Sequence, residues 1–210
     1  MATTAFTAAK RNLERAAFFL DIHQGTQQGP GTPDNKRREL PRGAVVFAIG
    51  ALDAYLSEVA AEVMVAQFER GQEAGGSRKV LEAIQRATPT LAIQLAVANP
   101  EVDRAAVLRR AIVEHFYDQV SNHGAKAVSA TVQRMGKSSN AVWDAVEAAG
   151  EAHAQQRLDE WTDKRHAIVH RGQRPTINRN PARTCVTLVE TICLEIDKVA
   201  SEAKTEIINQ

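Results

Sequence analysis

Residues 42–70 read RGAVVFAIGALDAYLSEVAAEVMVAQFER, and this stretch decides the fold. Ile49, Leu52, Leu56, Val59 and Val63 recur at steps of three and four, the stripe of a helix that faces a core. Asp53, Glu58, Glu62 and Glu69 fall on other faces and interrupt the apolar run, which argues against a membrane span. Upstream, Thr3 to His23 reads as a shorter amphipathic helix carrying Phe6, Leu13, Ala17 and Leu20. The segment 25–41 between them holds three prolines, three glycines and the charge cluster from Asp34 to Glu39. Such a composition predicts a long, flexible loop.

Downstream, the pattern stays helical but breaks into shorter pieces. Ser77 to Arg86 reads as a short helix, and Thr88-Pro89-Thr90 opens another, with Ser/Thr capping and proline in its first turn. Asn99-Pro100 stops it. Glu101 to Gln119 is helical, with Val107, Ile112 and Phe116 in its core. After Asn122-His123-Gly124 come Lys126–Met135 and Asn140–Ala149, split by Gly136 to Ser139. Glu151 to Arg171 is long and unbroken. A loop from Gly172 to Pro181 leads into a last helix striped by Val186, Val189, Cys193, Ile196 and Val199. No run alternates as a strand would. The expectation is an all-α single domain over 1–210: a bundle of about four long helices with a short-helix insertion at about 76–150.

The 210 residues are 44% hydrophobic and 24% charged, enough for a full core and too balanced for wholesale disorder. With 26 Lys+Arg against 25 Asp+Glu, the net charge of +1 excludes a uniformly basic nucleic-acid coat or a polybasic membrane binder. Residues 1–21 lack the apolar centre of a signal peptide. Cys185 and Cys193 lie too far apart on one helix to bridge, and read as buried free thiols of a reducing compartment. The expected location is the cytoplasm.

Chemistry concentrates at Asp163-Lys164-Arg165-His166-Ala167-Ile168-Val169-His170-Arg171-Gly172. Lys164, Arg165, Arg171, Arg174, Arg179 and Arg183 are six basic residues in a stretch to Val189 that has no acid. Arginine presents a planar fork matched to phosphate oxygens. Histidine moves protons near neutral pH. Together they suffice for RNA cleavage without a metal, with His170 serving the 2′-hydroxyl or the leaving 5′-oxygen and Arg165 the charge at phosphorus. Cations near a helix C-terminus also have a purely structural use, stabilising the helix dipole. Asp53 either orients a motif residue or faces solvent. Arg42 either joins an RNA patch or only starts its helix. His115 and His123 read as structural, and Trp143 and Trp161 as packing. His166 and His170, one turn apart, could pair on zinc, but no glutamate or third ligand accompanies them.

The all-helical pattern, the long RGAVVFAIGALDAYLSEVA helix and the late RHAIVH resemble the HEPN superfamily (higher eukaryotes and prokaryotes nucleotide-binding domain), in particular its RiboL-PSP-type group. The segment MGKSSNAVWDAVEAA resembles that group's insertion, and the resemblance spans about residues 5–205. It implies a metal-independent endoribonuclease with no cofactor, leaving a 2′,3′-cyclic phosphate. Two protomers would join their R-x4-H motifs in a composite cleft. Arg165 and His170 map to the active residues and His166 to their polar support, with Lys164, Arg171, Arg174 and Arg179 on the RNA. The implied setting is a toxin–antitoxin, abortive-infection or antiphage system. The partners would be RNA, a second copy, and a cognate antitoxin or other defence protein. Gly172 stands where toxins regulated through a motif-proximal tyrosine carry that tyrosine. The alternatives are a non-catalytic HEPN module that binds RNA or nucleotide, and a helical protein-interaction domain.

Overall fold

A computed structural model of the chain describes residues 2–25, 35–72, 75–96, 103–119 and 124–209. Among them the fold is all-α. The helices are α1 (Thr4–Gly25), α2 (Asn35–Glu69), α3 (Gly75–Ala87), α4 (Thr90–Ala96), α5 (Arg104–Gln119), α6 (Gly124–Arg134), α7 (Ser139–Ala148), α8 (Ala154–Arg171) and α9 (Arg179–Asn209).

The predicted stripe of α2 is the centre of the molecule: Ile49, Leu52, Leu56, Val59 and Val63 are all buried. α2 is long and apolar enough to cross a membrane by length and composition, yet most of that stretch is buried against its neighbours. α1 packs antiparallel to it. Phe6 meets Tyr55 edge-on, and Phe19 meets Phe47 at a centroid distance of 5.1 Å. α9 lies antiparallel to α1, as Arg179 at its start reaches Leu20 and Asp197 farther along reaches Thr3. α8 completes the group of long helices against α2, with α6 and α7 packed on α8 and α9.

The short-helix segment divides between two cores. Val128, Val132, Val142, Trp143 and Val146 of α6 and α7 join the main cluster. Val80, Ile84, Leu91, Leu108, Ile112 and Phe116 of α3–α5 instead form a second cluster around Ala60, Ala61 and Met64 of α2. Both cysteines are buried and free, and burial pushes the Cys185 thiol up to about 12 and that of Cys193 higher still.

The expected loop over 25–41 is corrected at both ends. Gly25 closes α1, and α2 begins at Asn35 with Pro41 inside it; residues 26–34 lie outside the described set. The reason is tertiary. Arg42, 7% exposed, donates to Glu39 Oε1 at 2.7 Å, Pro175 O at 2.8 Å and Arg174 O at 3.1 Å, pinning this first part of the helix. That anchorage offsets the roughly 3 kcal/mol that a proline inside a helix costs through its lost hydrogen bond and its clash with the preceding turn. Arg42 is thus a strap for the loop after α8 and does more than start its helix. The helix expected from Glu151 begins at Ala154, because His153 adopts φ 56° and breaks the run. The last helix begins at Arg179, ahead of Pro181, which sits in its first turn.

Buried His23, in the last turn of α1, brings a pH dependence. Burial first, then Arg179 and Arg37, lowers its pKa below the ordinary 6.5. The unfolded chain therefore takes up this proton more readily, so stability is full above about pH 6.5 and falls as the pH drops below it. Urea unfolding between pH 5 and 8 should show that slope, and His23→Gln should flatten it; an unchanged slope would remove His23 as the cause.

Candidate functional site

α8 is anchored at one end. Its fully buried residues, Ala154, Leu158 and Trp161, all lie in its first half, while Ile168 packs part-buried on the main core. At about 100° per residue, Asp159, Asp163, His166 and His170 fall near one line, a polar stripe down the solvent side. His166 and His170 are both exposed, their rings 4.7 Å apart and tilted by 41°.

Arg165 points away from that stripe, toward α2. Its Nη2 lies 4.0 Å from Asp53 Oδ2, with the two side chains 18% and 13% exposed. Asp53 is therefore not a solvent-facing acid; it faces the motif arginine. Arg165 Nε is buried with no hydrogen-bond partner. A cleft of 390 Å³ opens between α8 and the start of α6, lined by Thr162, Asp163, Arg165, His166 and Arg171 over a floor of Gly124 and Asp159. His170 stands one turn beyond His166 on the stripe and is not among the lining residues, although Arg171 next to it is. Within one chain, then, Arg165, His166 and Arg171 share a cleft, and His170 meets the His166 ring beside it.

The floor depends on one glycine. Gly124 adopts φ +76°, a left-handed conformation that costs an L-residue about 1–2 kcal/mol. An added Cβ would also collide with Asp159 Oδ1, the oxygen that accepts the Ala125 N–H at 2.7 Å and so caps α6. Gly124→Ala is expected to cost about 2–3 kcal/mol from strain and the loosened cap together. Chemical denaturation measures it, and a change below about 0.5 kcal/mol would show that the turn yields freely.

The basic stretch does not act as one patch. Arg171 is exposed at the cleft, and the Arg174 side chain is 75% exposed, 3.8 Å from Glu39. Lys164 rests over the Trp161 ring at 4.2 Å. Arg179 donates to Leu20 O and Gln24, and Arg183 pairs with Asp21 at 3.0 Å. Those two hold the C-terminal end of α1, where cations also favour the helix dipole. Gly172 caps α8 at φ 61°, and the next N–H, that of Gln173, donates to Ala167 O at 3.0 Å, which gives position 172 a structural reason to be glycine.

His115 sits part-buried beside Phe116, and His123 lies outside the described residues. Trp143 and Trp161 are buried as packing residues, the former donating to Ser129 at 3.0 Å. Among the described residues no three His, Cys, Asp or Glu are grouped to hold a metal ion. The sequence reading missed Asp159 and Thr162 and gave Asp163, at the head of the motif, no role. Their signal was present in the spacing of polar residues opposite Leu158 and Trp161. No protein-family model, curated protein or solved structure matches the chain.

Proposed function

We propose that this chain is a HEPN-type, metal-independent endoribonuclease acting on unpaired RNA, with Arg165 and His170 as its active pair. One observation carries the reading. The R-x4-H segment lies at the end of α8 where a polar cleft opens, with Arg165 oriented by Asp53 and His170 left exposed on the stripe. In this mechanism His170 takes the 2′-hydroxyl proton or returns one to the leaving 5′-oxygen. The 2′-oxygen bonds to phosphorus as the P–O5′ bond breaks, and Arg165 stabilises the added negative charge. His166 supports His170 through their ring contact. Unpaired RNA suits this step because a stacked A-form helix resists the in-line geometry.

His170 stands outside the cleft of its own chain, a placement that suits a composite site made with a second copy. A role as a toxin or antiphage effector, with an antitoxin or other defence protein as a further partner, belongs to the same proposal. The test is incubation of the purified chain with end-labelled single-stranded RNA in EDTA. Fragments ending in a 2′,3′-cyclic phosphate are expected; intact RNA, or cleavage that EDTA abolishes, rejects the mechanism.

The hold of Asp53 on Arg165 favours a second reading, RNA binding without cleavage. Its signature is a gel shift that weakens steeply with salt while no product forms.

A further inference from the structure

The α8 cleft contains a group that a phosphate site alone has no use for. Asp163 lines it beside Arg165, His166 and Arg171, is exposed, and makes no hydrogen bond or ion pair among the described residues. Asp159 below it is already occupied by the Ala125 N–H. Next to Asp163, the Thr162 hydroxyl oxygen is buried without a partner. A carboxylate near RNA phosphates is repelled by them, so it weakens a site built only for backbone.

An ionised carboxylate accepts hydrogen bonds and donates none. On a nucleobase edge it suits adjacent donors. Guanine offers two, N1–H and the N2 amino group; uracil offers a single N3–H between two oxygens that repel the carboxylate. The cleft volume of 390 Å³ is at the lower end of small-ligand pockets, the scale of one nucleotide. Along α8, Asp163 is about 4.5 Å from the level of His166 and about 10 Å from that of His170. A base seated on Asp163 therefore leaves its own phosphate near the histidines.

We propose that this cleft is a base-reading subsite for one unpaired guanosine, its Watson–Crick edge on Asp163 and Thr162 and its phosphate toward His166 and Arg171. This rests on the RNA reading of the site, and it gives that site a base preference. The experiment measures binding by the full-length His170→Ala chain, used to keep the RNA whole. The ligands are fluorescent hexauridylates in which one central position is guanosine, inosine or uridine. Guanosine is expected to bind about tenfold tighter than uridine, a low-end bidentate preference for an open cleft, with inosine between because it lacks the N2 amino group. In an added Asp163→Asn change, circular dichroism should stay unaltered while the guanosine preference disappears. Equal binding of the three RNAs, no binding of any, or a uniform gain for all three in Asp163→Asn would overturn the subsite. A guanosine preference without cleavage by the wild type would keep the subsite and reject the nuclease; indifferent cleavage would do the reverse.

Discussion

His170→Ala is expected to lower RNA cleavage by about 10²–10⁴-fold, the usual weight of a general acid–base group, while leaving thermal unfolding unchanged. The residue is exposed and its one described contact is the His166 ring, so the fold does not rest on it. Arg165→Ala is expected to cost about 10²–10³-fold through lost stabilisation at phosphorus. It also leaves Asp53, 13% exposed, without the nearby guanidinium. Arg165→Lys therefore belongs beside it: the lysine restores a positive charge near Asp53 but not the planar fork, so activity should stay low while stability recovers. The double variant should be no worse than its more damaged parent, since the two groups serve one step. Initial rates on labelled single-stranded RNA in EDTA measure all four. Wild-type cleavage by His170→Ala would sink the assignment.

Asp197→Ala is expected to destabilise the fold by about 2–4 kcal/mol, summing two stranded donors and a weakened cap. Asp197 is 5% exposed, and it accepts the Thr3 backbone N–H at 3.1 Å and the Thr3 hydroxyl at 2.5 Å. Thr3, 4% exposed, in turn accepts the Phe6 N–H on its hydroxyl at 3.0 Å, so it caps α1 while α9 holds the cap in place. Glu62 of α2 secures the same first turn by accepting the Ala5 N–H at 2.7 Å. Removing Asp197 leaves two buried donors without an acceptor. Thr3→Val removes the hydroxyl partner as well, so the double variant should lose less than the sum of the singles. Urea titration of the cycle measures this, and strict additivity would show that the two side chains are not coupled.

The α2 stripe was legible because a core-facing helix repeats its pattern locally. The Asn35–Pro41 stretch was not, because its helical state depends on Arg42 reaching carbonyls at 174 and 175, far along the chain. The same limit applies to the site. The R-x4-H spacing and the basic stretch can be read from order alone. That Arg179 and Arg183 are committed to the end of α1, or that Asp159 caps α6, cannot be read this way, since those partners meet only in three dimensions. The polar stripe on α8 was in plain view. Helical arithmetic applied to Asp159, Asp163, His166 and His170 would have found it.

The one-sided anchorage of α8 gives its two halves different local stabilities. Opening the first half exposes Leu158 and Trp161 and disrupts the core, whereas the second half rests on Ile168, the Arg165–Asp53 pair and the loop that Arg42 straps. Low local stability accompanies few buried contacts. The last turns of α8 therefore owe their place less to the core than to the Arg42 strap on the loop that follows and the cap at Gly172. The motif sits on the part of the helix that is held from its far end, by chain outside the helix itself.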